Sequence, residues 1–242
     1  MEYRRLHPWD ITPAKARRLQ ERLRSQLIFA NPSPRVRSVA GADAAYDGGK
    51  SYGAVVVFSY PELEILEQSL AVREDSFPYI PGLLSFREGP VLLDCFSALG
   101  SEPDLLIFDG QGVAHPRGFG LASHLGLLLD RPAIGCAKHR LCGRAGEPGK
   151  ARGSWTPLLD PEGRASGCAL RTRDNVRPVF ISPGHKITLE QCRKIILAAC
   201  AGFRLPEPLR RAHGAASAAA DGKAKAVEAR SAYSPRKRSS NC

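Results

Sequence analysis

The sequence predicts a single α/β domain built on a mixed central sheet that is flanked by helices. Three strand-like apolar runs follow one another with short connections, which is typical of antiparallel neighbours. Strand-like and helix-like segments then alternate, which is typical of parallel strands. At 242 residues, with 43% hydrophobic side chains, the chain is long enough to bury one sizeable core.

The first half of the chain is expected to form two helices with three strands between them. Thr12 and Pro13 are typical of a helix start, and leucines recur every four residues, so we expect a helix over residues 14–29. The three strands are expected at residues 37–46, 53–60 and 63–72. A second helix is expected over residues 85–99, with Pro90 in its early part.

The second half alternates short strands with helices. A helix at residues 121–129 is expected between strands at 105–108 and 133–137. Three further strands are expected at residues 155–159, 168–171 and 179–181. Thr188, with Gln191 in the capping-box position, predicts a last helix over 188–201. Three antiparallel strands followed by parallel strands and helices form the order of a ribonuclease H-like fold, in which the first and fourth strands lie side by side.

Composition divides the chain into a folded catalytic domain, residues 1–214, and a basic C-terminal tail, residues 215–242. The tail is rich in Ala, Ser, Lys and Arg and has few large apolar side chains. It cannot offset the entropy of ordering, so we expect it to be disordered. The whole chain carries a formal net charge of +11, which favours a phosphate-rich partner such as nucleic acid. A basic enzyme with a solvated tail is the alternative.

Cysteine usage and the N-terminal sequence indicate a cellular location. The seven cysteines contain no CxxC pair, which argues against a zinc ribbon, and most lie in apolar runs, as in a reducing compartment. The first residues lack the apolar stretch of a signal peptide, and no run is long enough to span a membrane. We therefore expect a cytoplasmic protein with no membrane partner, and a monomer.

Three carboxylates lie at or near the ends of different predicted elements. Asp43 is near the end of the first strand, Asp109 directly follows the fourth, and Glu88 lies early in the second helix. If those strands are neighbours, the carboxylates converge and repel one another unless a cation joins them. We predict a divalent metal site with Asp43 and Asp109 as ligands and Glu88 beside them, which suits phosphodiester hydrolysis. Each residue taken alone is more simply a turn cap or a solvated charge.

Asp109 also opens a glycine-rich loop, residues 109–116. Its glycines allow a ligand to approach the backbone closely. His115 in this loop is a candidate to orient water, transfer a proton or contact phosphate. Lys138, which follows a predicted strand on the side of Asp109, is a candidate to neutralise phosphate charge. A solvated basic loop is the alternative for Lys138.

Two further candidates lie in proline-rich segments. Tyr79 belongs to the stiff segment 77–82, and a rigid aromatic side chain can replace a base that has left its stack. The alternative is an ordinary proline turn with a half-buried aromatic ring. His213 follows the segment 204–208 and is a candidate to return to the site. The alternative is a surface strap.

Six segments together resemble the endonuclease V family of repair nucleases for deaminated purines. They are GADAAY (41–46), PYIPGLLSFREGP (78–90), DGQGVAHPR (109–117), AK (137–138), SPGH (182–185) and RLPEP (204–208). The resemblance implies a ribonuclease H-like fold and hydrolysis that depends on Mg²⁺, with Mn²⁺ as a substitute. It implies recognition of deoxyinosine (hypoxanthine) and cleavage of the second phosphodiester bond on its 3′ side, leaving a 3′-hydroxyl and a 5′-phosphate.

The resemblance also implies roles for individual residues. Asp43 and Asp109 correspond to metal ligands, and Tyr79 to the wedge that fills the place of the displaced base. The residues implied in catalysis are Asp43, Glu88, Asp109, His115, Lys138 and His213. The residues implied in the base pocket are Gly82, Leu84, Gly110 and Gly112. The family has His or Asp at the position of His213.

Three other functions stay open at this stage. An inosine-specific endoribonuclease would use the same site on RNA. A nucleic-acid-binding protein without catalysis would not need all three carboxylates, which are present here. A base-excising glycosylase would need a wedge but no metal-binding carboxylates. Metal dependence and the chemical ends of the product distinguish these classes.

Overall fold

The computed structural model describes residues 1–30, 35–75, 77–224 and 227–228. The helices are α1 (Pro13–Arg24), α2 (Leu84–Ala98), α3 (Leu121–Leu129), α4 (Leu189–Ala199) and α5 (Glu207–Ala220). The strands are β1 (Ser38–Asp47), β2 (Lys50–Ser59), β3 (Ile65–Glu74), β4 (Leu105–Phe108), β5 (Ala133–Ala137), β6 (Arg144–Ala145), β7 (Trp155–Leu159), β8 (Ala165–Leu170), β9 (Val179–His185) and β10 (Val227–Glu228).

The described strands form one ten-stranded mixed sheet in the order β10-β3-β2-β1-β4-β5-β9-β8-β7-β6. β1, β2 and β3 pair antiparallel, as short connections require. β4 pairs parallel with both β1 and β5, because α2 and α3 provide the crossovers. β5, β9, β8, β7 and β6 then pair antiparallel. The predicted mixed α/β architecture is confirmed, and β1 and β4 are neighbours.

Helices cover both faces of the sheet. Successive side chains of β1 point to opposite faces and therefore pack against different helices. Ala40 and Ala42 face α2 and α3, where they pack with Phe96 and other apolar side chains. Val39 faces the opposite side and packs in the cluster that contains Ile196 of α4. Within the described residues, no helix is long and apolar enough to cross a membrane. The expectations of a cytoplasmic location and of a monomer stay predictions.

Several predicted boundaries are wrong: β8 begins at Ala165 rather than at residue 168, and β9 ends at His185 rather than at residue 181. α1 ends at Arg24 rather than at residue 29, with Ser25 as its C-cap. Residues 215–220, assigned by sequence to the disordered tail, belong to α5, because Ala216 and Ala219 are buried on one side of that helix. Small alanines suit a helix that packs closely on a sheet, and composition alone does not reveal this. The prediction for residues 225–226 and 229–242 lies outside the described residues.

Gly41 determines how closely α5 approaches the sheet. A Cβ at this position of β1 would lie 2.2 Å from the carbonyl carbon and oxygen of Pro208. Only glycine therefore allows the first turn of α5 to lie against β1. The same helix carries His213, so this contact positions a candidate site residue.

Gly41→Ala is expected to lower the free energy of unfolding by about 1–3 kcal/mol, because the added methyl group overpacks the contact between β1 and α5. The matched control is Gly214→Ala, on the exposed side of α5, where an added Cβ has nothing within 4 Å. The control is expected to stabilise by about 0.5–1 kcal/mol. Urea unfolding followed by circular dichroism measures both. Equal stabilities for the two variants would contradict this account of the interface.

Candidate active site

The sheet brings Asp43 and Asp109 together. Asp43 lies within β1 rather than at its end, since β1 continues to Asp47. The parallel register pairs Ala42 with Phe108, so Asp43 and Asp109 are the next residues on two adjacent strands. The backbone N–H of Asp109 donates to the Ala42 carbonyl oxygen at 3.3 Å. Convergence therefore follows from strand register, not from strand ends.

Glu88 joins this pair from α2, and neighbouring charges affect both Glu88 and Asp43. Glu88 is only 6% exposed, and burial together with the charges of Asp43 and Asp109 raises its pKa to about 8. Burial and the charge of Asp109 also raise the pKa of Asp43, which is 7% exposed. These mutual effects show that the three carboxylates lie close enough to repel one another. We call Asp43, Glu88 and Asp109 the acidic cluster.

Tyr46 holds Glu88 in place, and sequence reasoning assigned it no role. Its hydroxyl donates to Glu88 Oε1 at 2.9 Å. The guanidinium of Arg87 lies 4.1 Å above the Tyr46 ring and forms an ion pair of 2.6 Å with Asp75. The other oxygen, Glu88 Oε2, is buried and has no hydrogen-bond partner among the described residues. One carboxylate oxygen is therefore fixed, and the other remains to be satisfied.

Two basic side chains contact the acidic cluster. Lys138, directly after β5, places Nζ 2.7 Å from Asp109 Oδ2. Burial alone would lower the pKa of Lys138, but the hydrogen bond and charge of Asp109 outweigh it and raise that pKa. His213 of α5 places Nδ1 2.7 Å from Asp43 Oδ2. Both residues were singled out by sequence, and both lie at the acidic cluster.

The residue types of the acidic cluster fit a hard divalent cation. Among the described residues, no three His, Cys, Asp or Glu side chains form a ready-made metal cage. Three mutually repelling carboxylates and the unsatisfied Glu88 Oε2 nevertheless supply the oxygen donors that such an ion prefers. Lys138 supplies positive charge to Asp109 in this structure, and His213 contacts Asp43.

A cleft of about 360 Å³ opens beside the acidic cluster. We call it the base pocket. It is lined by Tyr79, Gly82, Leu84 and Gly110, all predicted to bind substrate, and also by Asp109, Lys138 and Ser85. Tyr79 is 65% exposed at the edge of the cleft. The structure therefore joins the predicted recognition residues to one member of the acidic cluster.

Three side chains hold the Gly82 carbonyl group at the base pocket by hydrogen bonds. It accepts hydrogen bonds from Gln20 Nε2 at 3.1 Å, His115 Nε2 at 2.9 Å and Arg117 Nη2 at 2.7 Å. Gly82 has a φ of +79°, which favours glycine. Gln20 and Arg117 were missed by sequence reasoning, because a helix Gln and a loop Arg carry no signal of their own.

His115 makes contacts that differ from those expected. The backbone N–H of Arg117 donates to His115 Nδ1 at 3.1 Å, so Nε2 carries the proton given to the Gly82 carbonyl. Burial lowers the pKa of His115 to about 4, so the ring is neutral at pH 7. Both ring nitrogens have protein partners, and the contacts therefore indicate a positioning residue rather than a proton carrier.

Gly112, predicted to line the base pocket, lies elsewhere. It is not among the lining residues, and a Cβ there would lie 2.0 Å from the Pro183 carbonyl oxygen. Its N–H donates to Ser182 Oγ at 2.9 Å. Gly112 therefore seats the glycine-rich loop on β9, while Gly110 faces the cleft. The sequence pattern alone does not distinguish these two glycines.

Comparison with known proteins identifies the family. The family model of endonuclease V matches residues 18–214. The chain belongs to the endonuclease V family. Endonuclease V of Methanothrix thermoacetophila is 51% identical over 213 residues, which cover 88% of this chain and 94% of that protein. The predicted resemblance is confirmed.

Solved endonuclease V structures share the fold. The crystal structure from Streptomyces avermitilis matches with a TM-score of 0.84 at 42% identity, covering 88% of this chain and 95% of that one. A Ciona intestinalis endonuclease V variant, solved with a 23mer DNA containing an inosine followed by a ribo-adenosine, matches with a TM-score of 0.77 at 27% identity, covering 88% and 99%. The ribonuclease H-like fold is confirmed for the present chain. As a member of this family, the chain is a nuclease, a hydrolase of DNA repair.

Glu88→Gln is expected to change how stability depends on pH in metal-free protein. The folded-state pKa of about 8 lies above the value of about 4.3 in an unfolded chain. The stability contributed by neutral Glu88 is therefore complete below about pH 4 and lost as pH rises through 8. The substituted amide cannot ionise, so the variant should gain stability relative to the parent between about pH 5 and pH 9. Urea unfolding in EDTA measures this difference, and a difference independent of pH would contradict the raised pKa.

Proposed function

We propose that this endonuclease recognises a deaminated purine in DNA, hypoxanthine in deoxyinosine, and hydrolyses the second phosphodiester bond on its 3′ side with Mg²⁺, for which Mn²⁺ can substitute. The observation that supports this most is that Asp109, a member of the acidic cluster, and its partner Lys138 both line the base pocket. The inosine-containing DNA bound by the Ciona relative supports the choice of base.

Asp43 and Asp109, with Glu88 beside them, are the proposed holders of the metal ion. When bound, a divalent ion polarises the phosphate and lowers the pKa of a water molecule, which supplies the nucleophile. In this structure Lys138 forms an ion pair with Asp109, and His213 Nδ1 lies 2.7 Å from Asp43 Oδ2. With a divalent cation held by these carboxylates, the Lys138 ammonium group would be available to stabilise negative charge on the phosphate.

Tyr79, Gly82, Leu84 and Gly110 are the proposed recognition residues. The exposed ring of Tyr79 is a suitable wedge, because a large rigid aromatic side chain can stack where a base has left the duplex. Hypoxanthine pairs less tightly than the normal bases, so its extrusion costs less unpairing energy. His115 acts as a positioning residue, since it holds the Gly82 carbonyl at the wall of the base pocket.

The proposal predicts a nick of defined position. A 5′-end-labelled duplex with one deoxyinosine should be cut with Mg²⁺ and not in EDTA, one nucleotide beyond the lesion on its 3′ side, with the base retained. The control duplex has deoxyadenosine at that position and should stay intact. An abasic product formed in EDTA would contradict hydrolysis and favour a glycosylase. If the protein cleaves single-stranded inosine RNA but not the DNA duplex, its function is that of an endoribonuclease.

Asp43→Asn and Asp109→Asn are each expected to lower the rate of cleavage at least about a hundredfold, because each removes a proposed metal ligand worth several kcal/mol in the transition state. Affinity for the inosine duplex should change little, because the recognition residues are intact. Single-turnover cleavage and fluorescence anisotropy measure the two quantities. The control is Glu102→Gln, an exposed carboxylate paired with Arg131. Normal turnover of either Asp variant would exclude it as a ligand.

Tyr79→Ala is expected to weaken binding of the inosine duplex by about 1–3 kcal/mol, the usual contribution of one aromatic stack. Binding of an undamaged duplex should change less, because no base leaves the stack there. Trp155→Ala is the matched control, since Trp155 is also exposed but lies outside the base pocket. Anisotropy titrations measure all three proteins. Unchanged affinity of the Tyr79 variant for inosine would remove the wedge role.

A further inference from the structure

A chain of three hydrogen-bonded side chains connects the N-terminal segment to the base pocket. His7 Nδ1 lies 2.8 Å from the Pro8 carbonyl oxygen, and His7 Nε2 lies 2.7 Å from His124 Nε2. His124 Nδ1 lies 3.0 Å from Ser85 Oγ. Ser85 is in the first turn of α2 and lines the base pocket. We call His7, His124 and Ser85 the histidine relay.

The Pro8 carbonyl decides the direction of every proton in the histidine relay. A carbonyl oxygen only accepts, so His7 Nδ1 carries the proton and His7 Nε2 accepts in the neutral ring. His124 Nε2 must then donate to it, which leaves His124 Nδ1 as an acceptor. The Ser85 hydroxyl must therefore donate its proton to His124. One arrangement of protons satisfies all three contacts when both rings are neutral.

Burial and packing keep the relay in this neutral arrangement. His124 is fully buried, and burial holds its pKa well below the usual range. Burial lowers the pKa of His7 as well. The His124 ring is packed among Phe86, Phe119 and Trp9, with centroid distances of 5.2, 5.2 and 5.3 Å. These three rings enclose the His124 ring, and the half-buried His7 ring is oriented by its contacts to the Pro8 carbonyl and to His124.

We infer that Ser85 presents only a hydrogen-bond acceptor to the base pocket and that this acceptor selects a base with a proton on N1. Its single hydroxyl proton is committed to His124, and only lone pairs remain. Hypoxanthine has an N1–H donor, whereas N1 of adenine is an acceptor. Two acceptors facing each other in a buried pocket leave both unsatisfied, which is the strongest form of discrimination between similar ligands.

This inference rests on the proposed function and deepens it. Ser85 is assigned as a specificity-determining residue, and His7 and His124 as positioning residues that act through it. Discrimination against adenine would then be determined partly by a surface-proximal contact, His7 to the Pro8 carbonyl, outside the base pocket. Sequence reasoning gave none of these residues a role, because a Ser and two His far apart in the chain form no motif.

Nitrogen-15 NMR of the full chain tests the relay without cleavage. Ring ¹⁵N shifts at about pH 7.5 should show the Nδ1–H form of His7 and the Nε2–H form of His124. The opposite pair of tautomers would make Ser85 an acceptor from His124 and would overturn the inference. A protonated His124 would overturn it too. In His7→Phe, which keeps a ring but removes the acceptor, His124 should become a mixture of tautomers.

Selectivity is measured by comparing deoxyinosine with purine deoxyribonucleoside, whose N1 carries no proton. Ser85→Ala should lower the ratio of kcat/KM for deoxyinosine to kcat/KM for the purine nucleoside by about tenfold or more. The ratio should fall because kcat/KM decreases for deoxyinosine alone. His7→Phe should lower the ratio by raising cleavage at the purine nucleoside, because Ser85 becomes free to donate. Ser123→Ala is the matched control, since Ser123 is a buried serine beside His124 whose hydroxyl has no hydrogen-bond partner in the described part of the chain.

The outcomes separate this inference from the proposed function. An unchanged ratio in Ser85→Ala, or an equal loss on both bases, would overturn the specificity role while the proposed function stands. If the parent enzyme cuts neither duplex, the proposed function fails, and the same ratio is then measured as binding affinity by anisotropy in EDTA. Thermal unfolding of each variant shows whether it folds. A reduced affinity ratio in folded Ser85→Ala alone supports the relay.

Discussion

Asp43, Glu88 and Asp109 repel one another because parallel pairing of β1 with β4, and packing of α2, hold them in one place. Neighbouring groups lower that repulsion. Lys138 brings positive charge to Asp109, and His213 lies within hydrogen-bond distance of Asp43. Glu88 is kept protonated near neutral pH by burial and by the other two charges. The folded state thus carries an electrostatic cost at the acidic cluster, which the proposed divalent cation would relieve.

Recognition depends on a second kind of constraint, which is rigidity. The Gly82 carbonyl is held by Gln20, His115 and Arg117, so the wall of the base pocket is formed before any ligand arrives. Preformed pockets bind with less loss of conformational entropy than mobile ones. Because Asp109 borders the base pocket and belongs to the acidic cluster, one short segment of backbone would position the recognised base relative to the cleaved phosphate in the proposed function.

The antiparallel pairing of β1, β2 and β3, the adjacency of β1 and β4 and the convergence of Asp43 with Asp109 could be predicted from the sequence, since hydrophobic periodicity and short connections leave few topologies. The contacts of His115 could not be predicted from the sequence, because a residue in a glycine-rich loop can face either the phosphate or the wall of the base pocket. α5 was missed, because a helix of alanines beside two prolines resembles a linker in composition. Tyr46 carried no pattern of its own, and only the fold brings it to Glu88.

The central claim is that the acidic cluster binds a divalent cation to relieve its own repulsion. Calorimetric titration of Mn²⁺ into metal-free protein at about pH 7, in two buffers with different ionisation enthalpies, tests it most directly. Glu88 is mostly protonated at that pH, so binding should release close to one proton into the buffer. The binding should be lost in Asp43→Asn. Absence of binding, or binding that releases no proton and survives that substitution, would contradict the account.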